Sequence, residues 1–291
     1  GKKVRCPPVI TDSGYGGTQL GKYSGGDFVN AEGPQRIVCL TEEPTEILYL
    51  LGEEHRIVGI TTYTVRPPEA RERHPVVSAF IDGSVRKICE LEPDLVIGFS
   101  DIQADLAAKL IRANLQVLIF NQRSIEEILD VIMTIGRIVA AEGKARSLVD
   151  GYREAIAEAR SRGKQLERRP RVYFEEWDEP TFSAIRWVSE LIEIAGGEDI
   201  FEEKSHGKLA SEREIRWSDV VERDPEIIMA SWCGKPVDVG SIRNRPGWDS
   251  ITAVTDDRIY ELDPSIILQP GPASLTDGLR AVQSLIEDLA S

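Results

Sequence analysis

The sequence predicts an α/β protein of two parallel-sheet lobes joined by a single long connector helix, with a ligand cleft between the lobes. Three observations lead there. Short apolar runs bounded by turn residues alternate with segments of helical period in both halves of the chain, the pattern of parallel strands joined by crossover helices. A highly charged helical segment with no sheet-forming run, Lys144 to about Arg168, falls mid-chain. Finally, the polar and aromatic stretches follow the strand candidates, and open α/β sheets bind ligands at that strand end.

In the first half, Arg36-Ile37-Val38-Cys39-Leu40 reads as a buried strand. Thr41 to Glu46 begins a helix, with Pro44 near its first turn and acids favouring its amino end. Ile47, Leu48, Leu50 and Leu51 form its apolar face and Gly52 stops it. Arg56 to Ile60 is the next strand and runs into the loop Thr61 to Pro68. Val85 to Leu91 reads as a helix, Asp94 to Phe99 as a third strand and Gln116 to Phe120 as a fourth, with a helix on Leu106, Leu110 and Ile111 between these two. Ser124 to about Ala141 is helical, and Glu127 stands three residues after Ser124, the spacing of a capping box.

The long helix follows, with Leu148, Tyr152, Ile156 and Ala159 on one stripe. Arg171 to Phe174 then reads as a strand, Glu175 to Pro180 as a turn, and Ile185, Val188, Leu191, Ile192 and Ala195 as a helix face ended by Gly196-Gly197. Trp217 to Arg223 is a short helix, Pro225 to Ala230 a strand, Arg258 to Leu262 the last strand, and Leu275 to Leu289 the closing helix. The expected organisation is an irregular Gly-rich extension over 1–33, a lobe over 34–141, the connector over 142–169 and a second lobe over 170–291. Within the extension, Gly16 to Lys22 nearly matches a phosphate loop. Tyr23 stands where the metal-binding hydroxyl belongs, and no strand precedes it, so nucleotide binding is not expected.

A net charge of -14 argues against nucleic acid and anionic membrane surfaces as partners, since both repel such a surface. No apolar run reaches the roughly 20 residues of a membrane helix. The sequence opens at Gly1 without Met, and removal of a leader is the expectation. Cys6, Cys39, Cys89 and Cys233 are widely spaced, with no Cys-x-x-Cys pair to suggest zinc or redox chemistry; disulfides and isolated thiols both stand. There is no GxSxG, no HExxH and no cysteine cluster to support a hydrolase or a metal enzyme.

Assembled in order, several short pieces resemble the substrate-binding proteins of the ABC importers for cobalamin, iron-siderophores and haem. They are Arg36-Ile37-Val38 with Pro44 to Leu48 and Leu51-Gly52; Val58 to Thr61; Leu91 to Ile97; Glu190-Leu191-Ile192 with Ala195 to Phe201; Asp224 to Ile228; Arg245-Pro246-Gly247-Trp248; and Gln269-Pro270-Gly271-Pro272. The resemblance covers Gln35 to Ser291. It implies two lobes rigidly joined by one helix, an extracytoplasmic monomer in the periplasm or outside the cell, lipid-anchored in some members, and delivery of a small-molecule ligand to permease subunits. It implies no catalysis and no intrinsic cofactor; the ligand is cargo. Cobalamin binders look closest, with ferric siderophore or haem as the alternative. The family docks on its permease through one glutamate per lobe. Here Arg86 stands at the first position, and Asp219 or Glu222 are the acids nearest the second.

Carried over residue by residue, Tyr63 resembles the first-lobe tyrosine of the cobalamin binders, Phe182 their second-lobe phenylalanine, and Asp263 their polar residue beside the ligand. Trp177, Phe182, Arg186 and Trp187 fall within eleven residues around one strand-to-helix turn. This suggests a ligand wall, although buried tryptophan is also a common core residue. Trp232 follows the strand ending at Ala230 and offers a broad apolar ring. Arg186 suits an anionic group of a ligand through its planar fork, or a salt bridge to Glu190 one turn on. Cys233 is a candidate soft ligand to a metal centre or a plain thiol, His206 a candidate contact from its loop, and Glu42 and Glu43 either face a cleft or favour the helix start. For an anionic siderophore the candidate cations are Arg66, Arg123, Arg186 and Lys235.

Overall fold

The computed structural model describes residues 32–79 and 84–290. The Gly-rich extension up to residue 31, with Cys6 and the phosphate-loop-like stretch, lies outside the described residues. The chain divides into two compact units. One runs to Asn121 and includes Thr134–Glu142; the other comprises Gln122–Met133 and everything from Gly143 onward. No helix of the described residues is long and apolar enough to cross a membrane.

The first unit is built on a five-stranded sheet in the order β3-β2-β1-β4-β5. Its strands are β1 (Ile37–Cys39), β2 (Ile57–Thr61), β3 (Val76–Ser78), β4 (Leu95–Phe99) and β5 (Val117–Phe120). Every pairing in it is parallel. Its core forms where Val38, Leu40, Val96, Ile88, Leu106 and Leu110 meet. The helix Glu42–Leu51 ends at Gly52, whose φ of 70° is the left-handed conformation that glycine adopts without cost. Between Ala104 and Arg112 the helix buries Leu106 and Leu110 but leaves Ile111 60% exposed, so Ile111 is no part of the core face.

The second unit has strands β6 (Arg171–Asp178), β7 (Thr181–Ser183), β8 (Glu198–Asp199), β9 (Ile227–Ala230) and β10 (Ile259–Glu261). Its sheet order is β10-β9-β6-β7, with β8 also on β6. Here the sheet departs from a purely parallel design. β6 runs parallel to β9 and β8 and antiparallel to β7, closing a hairpin at Glu179-Pro180. The acidic stretch expected as a turn is therefore mostly strand. Glu175 sits in the middle of β6, fully buried, because a distant arginine compensates it.

Tyr173 stands edge-on to Phe201 and Trp248, with ring centroids 5.8 and 6.0 Å away, in the core of this unit. The helix Ile125–Ile138 opens with the expected capping box: Glu127 N–H donates to Ser124 Oγ (3.3 Å) and Ser124 N–H to the Glu127 carboxylate (3.1 Å).

The long helix runs Glu142–Gly163 and buries Ala145, Val149, Ile156, Ala159 and Gly163, with Leu148 and Tyr152 half-buried beside that stripe. It stops five residues before the sequence suggests, at Gly163, where it presses on the end of the helix Arg186–Ile194. A Cβ on Gly163 would lie 2.7 Å from both Gly196 N and Ile194 O, and nothing there but backbone could yield. Gly196 itself has a φ of 94° and terminates the facing helix.

Two glycines of this one helix should therefore respond oppositely. Gly163→Ala should destabilise the protein by about 1–3 kcal/mol through overpacking. Gly151→Ala, whose Cβ would meet nothing within 4 Å, should stabilise it by about 0.5–1 kcal/mol through helix propensity. Urea denaturation of both variants against wild type tests the contrast, and equal effects would refute the close approach.

Candidate functional site

In the second unit, β6, β9 and β10 run parallel, so their carboxyl ends share one edge of the sheet. Three segments leave that edge: the end of β6 with its hairpin (Trp177, Asp178), the loop after β9 (Ser231 to Lys235) and the residues after β10 (Leu262, Asp263). The backbone ties them together. Ser231 N–H donates to Glu175 O at 3.0 Å, Leu262 N–H to Ala230 O at 2.8 Å, and Val237 N–H to the Glu261 carboxylate at 3.0 Å.

Beneath the loops lies a fully buried ion pair. Arg245 reaches Glu175 with both terminal nitrogens, Nη2 at 2.8 Å. Glu175 also accepts from Tyr173 Oη (2.8 Å) and Trp232 Nε1 (3.2 Å). The guanidinium stacks on Trp248 and Trp217, 4.6 and 4.9 Å from their ring centres. Burial opposes the charge on Arg245, but the Glu175 carboxylate overcomes it and holds the arginine pKa above its usual value. Burial, then the neighbouring Glu175, pushes the Tyr173 phenol well up, so it remains a donor.

Above the pair, Trp177 and Phe182 are cross-strand partners on the hairpin and both half-buried. The Trp177 indole donates to Glu179 O at 3.0 Å, which fixes its plane. Lys235 reaches back from the β9 loop to both Asp178 oxygens, at 2.6 and 2.8 Å. Its ammonium sits 4.3 Å from the Trp177 ring centre and 4.8 Å from that of Trp232. Burial pushes the Asp178 carboxyl up, yet the Lys235 ammonium and nearby backbone amides outweigh it and its pKa lies below the usual range. Gly234, with a φ of 81° and open space where a Cβ would stand, makes the turn that returns Lys235.

The structure therefore brings Trp177, Phe182 and Trp232 to one edge. Trp232 is only 3% exposed and is held by Glu175, so it forms the floor beneath Lys235 rather than an open ring. Cys233 is exposed in the same loop, and exposed Asp263 accepts from Ser265 N–H (2.8 Å) at the start of a short helix. Two expected wall residues lie elsewhere. Trp187 is 3% exposed and donates to Ile267 O at 2.9 Å, a packing residue with no face to offer, so its reading as ligand wall is withdrawn. Arg186 takes the salt bridge, with Nε 3.0 Å from Glu190, whose carboxylate also accepts from Ile125 N–H. His206, exposed, pairs with Glu202 at 2.9 Å. Lys235, Asp178 and the Glu175–Arg245 pair were not named as one constellation by sequence reasoning. The local signal available was the position of Lys235 just past a strand's carboxyl end.

In the first unit, the loop after β2 carries Tyr63, 46% exposed. Thr62 N–H donates to Ser78 O at 2.8 Å, and Arg66 Nε reaches Glu46 at 3.0 Å, which pins the loop to the helix Glu42–Leu51. Glu42 is half-buried at the start of that helix. Glu43 is buried, and burial, only partly offset by the Thr41 hydroxyl, pushes its carboxyl up to about 7. Burial likewise pushes the Cys39 thiol up to about 12 and keeps it inert.

A model of the periplasmic binding proteins matches residues 37–266. The chain belongs to that family. Among its relatives, the uncharacterized ABC transporter substrate-binding lipoprotein YvrC of Bacillus subtilis is 26% identical over 269 residues, 88% of this chain and 81% of that one. The vitamin B12-binding protein of Vibrio cholerae is 24% identical over 250 residues, 83% of this chain and 85% of that one. The solved periplasmic haem-binding protein RhuT from Roseiflexus superposes with a TM-score of 0.74 at 22% identity, covering 89% of this chain and 100% of that one, and so shares the fold.

Two stability predictions follow from the charges of this periplasmic binding protein. Arg245→Met strands the Glu175 carboxylate in the core and should cost about 3–5 kcal/mol in urea unfolding, with much of the loss recovered when Glu175→Met is added. A loss below about 1 kcal/mol would show that the pair is not buried as described. Glu43 keeps its proton in the folded chain up to about pH 7, whereas its ordinary value is 4.5. Its contribution is thus complete below about pH 4.5 and fades as the pH rises through 7. Glu43→Gln should raise the melting temperature by about 5–10 °C at pH 8 and leave it unchanged at pH 4; a gain independent of pH would contradict the assignment.

Proposed function

We propose that this periplasmic binding protein captures cobalamin or a related corrinoid outside the cytoplasm and presents it to the permease of an ABC importer. The observation that carries the reading is the Trp177–Phe182 cross-strand pair, held on a rigid hairpin at the ligand-binding edge of its sheet. Large flat rings with fixed planes suit a macrocycle, because they bury much apolar area for little lost side-chain freedom. To the ligand we assign Trp177, Phe182 and Asp263 of the second unit and Tyr63 of the first, with Cys233 and Glu42 as secondary contacts. Relatives named for vitamin B12 or cobalamin binding, in Vibrio and in Halobacterium salinarum, support the choice of guest.

The reading makes the corrinoid a cargo and gives the protein no reaction of its own. YvrC, named as a lipoprotein, favours a lipid anchor, and we place the protein as a monomer at the outer face of the cytoplasmic membrane. For permease docking the exposed charged side chains are Arg86, 81% exposed beside Glu90, and Arg216 and Glu222, on either side of a half-buried Asp219 that pairs with Arg216. A docking pair of one cation and one acid follows. The second reading, a haem or ferric siderophore, is favoured by one observation, the cation Lys235 set among the aromatic rings.

Calorimetric titration with cyanocobalamin, haem and a ferric siderophore decides between them. Cyanocobalamin should bind, and Trp177→Ala or Tyr63→Ala should each weaken it by about three- to tenfold. Binding of haem or siderophore without cyanocobalamin would replace the corrinoid reading with the second.

A further inference from the structure

The Lys235 ammonium occupies the aromatic surface that a flat guest would use. It sits over Trp177 and Trp232 at 4.3 and 4.8 Å and is anchored to both oxygens of Asp178. The two partners are not held alike. Asp178 is fixed to the hairpin: its carboxylate accepts from Glu179 N–H at 3.0 Å and its carbonyl from Thr181 Oγ1 at 2.6 Å. Lys235 hangs on a flexible four-carbon stem beyond the open Gly234 turn, with 39% of its side chain exposed. Anything that stacks on Trp177 must therefore move the lysine and not the aspartate.

An uncharged ring gains the stacking surface only by displacing a cation from two π faces and offers it nothing in return. A ring that carries its own anionic group avoids that cost, because the displaced ammonium swings onto the guest's phosphate or carboxylate while remaining beside Asp178. We infer that Lys235 makes this site selective for flat macrocycles bearing an anionic substituent, and that it is a specificity-determining residue which rejects the same ring without the anion. The inference rests on the ligand reading above and deepens it. The complete cobalamin carries a phosphodiester in its nucleotide loop, whereas cobinamide has the same corrin ring without it.

The test titrates the full chain, as wild type, Lys235→Gln and Lys235→Arg, with cyanocobalamin and dicyanocobinamide. Wild type should bind cyanocobalamin about tenfold more tightly than the cobinamide, the worth of one retained charge-assisted contact. Lys235→Gln should abolish the preference, weakening cyanocobalamin and tightening the cobinamide, which no longer has a cation to displace, and Lys235→Arg should restore most of it. Equal weakening of both guests, or no change in either, overturns the inference. Haem and its dimethyl ester, titrated in parallel, form a second charged and neutral pair on one ring. If neither corrinoid binds, the corrinoid reading fails while the haem pair still decides Lys235: a preference for free haem that Lys235→Gln removes supports the inference, and equal affinity for the ester sinks it. If none of the four guests binds, both readings fall.

Discussion

The second unit depends on one buried charge contact, Glu175 with Arg245. A carboxylate in the middle of a central strand, with no solvent exposure, would cost several kcal/mol if left bare. Here it receives two guanidinium donors, a phenol and an indole N–H, while the guanidinium lies against two indole faces. Each of the two buried charges thus has partners, which is the condition under which an internal ion pair becomes tolerable. Its geometric effect is larger than its net energy. Tyr173 and Glu175 come from β6, Trp232 from the loop after β9, and Arg245 from a segment 70 residues past Glu175. One side chain therefore joins the Arg245 segment to two segments that the β6–β9 backbone pairing already holds in register.

That register sets the surface above it. Trp232 cannot turn outward while its indole N–H serves Glu175, and Trp177 cannot tilt freely while its own serves Glu179 O. With both planes set, Lys235 finds two aromatic faces and a carboxylate in a single position. Rings fixed before a ligand arrives lose little freedom when it does. The order of causation runs from a buried pair, through indole orientation, to a surface ready for a flat guest.

Much of this order was legible in the sequence. The strands β1, β2, β4, β5, β9 and β10 announce themselves as apolar runs, and the helix Ile125–Ile138 by its capping box. What escaped had physical reasons. β3 and β7 are three residues long and end on serine, and β8 is only Glu198-Asp199, so none offers the apolar run that marks the equally short β1 and β10. Glu175 to Asp178 reads as a turn because an acid next to an acid is a poor strand former, and Arg245, Arg213 and Lys235, all far along the chain, compensate Glu175, Glu176 and Asp178 within the strand. The same is true of the tryptophans. Trp177, Trp187 and Trp232 are alike as letters, and one becomes a half-open ring, one a packing residue and one a floor according to which carbonyl or carboxylate takes the indole proton. Lobe architecture is written in local pattern; the division of labour among identical side chains is written in long-range partners.

The overall charge sharpens the role of a single cation. A chain of net charge -14 repels anions at a distance, so an anionic guest gains nothing from the general field and must be recognised within contact range. Beyond about 8 Å at physiological ionic strength the field is largely screened in any case. Selectivity for a phosphate or carboxylate can then come only from cations set directly in the site. At the aromatic edge of the second unit that cation is Lys235, and it is kept there by the two rings and the fixed carboxylate that a guest would have to share. Asp178 is thus more than a structural partner. By holding the ammonium in place in the empty protein it makes an uncharged ring a poor guest, so the discrimination is built from a competition between two anions for one lysine.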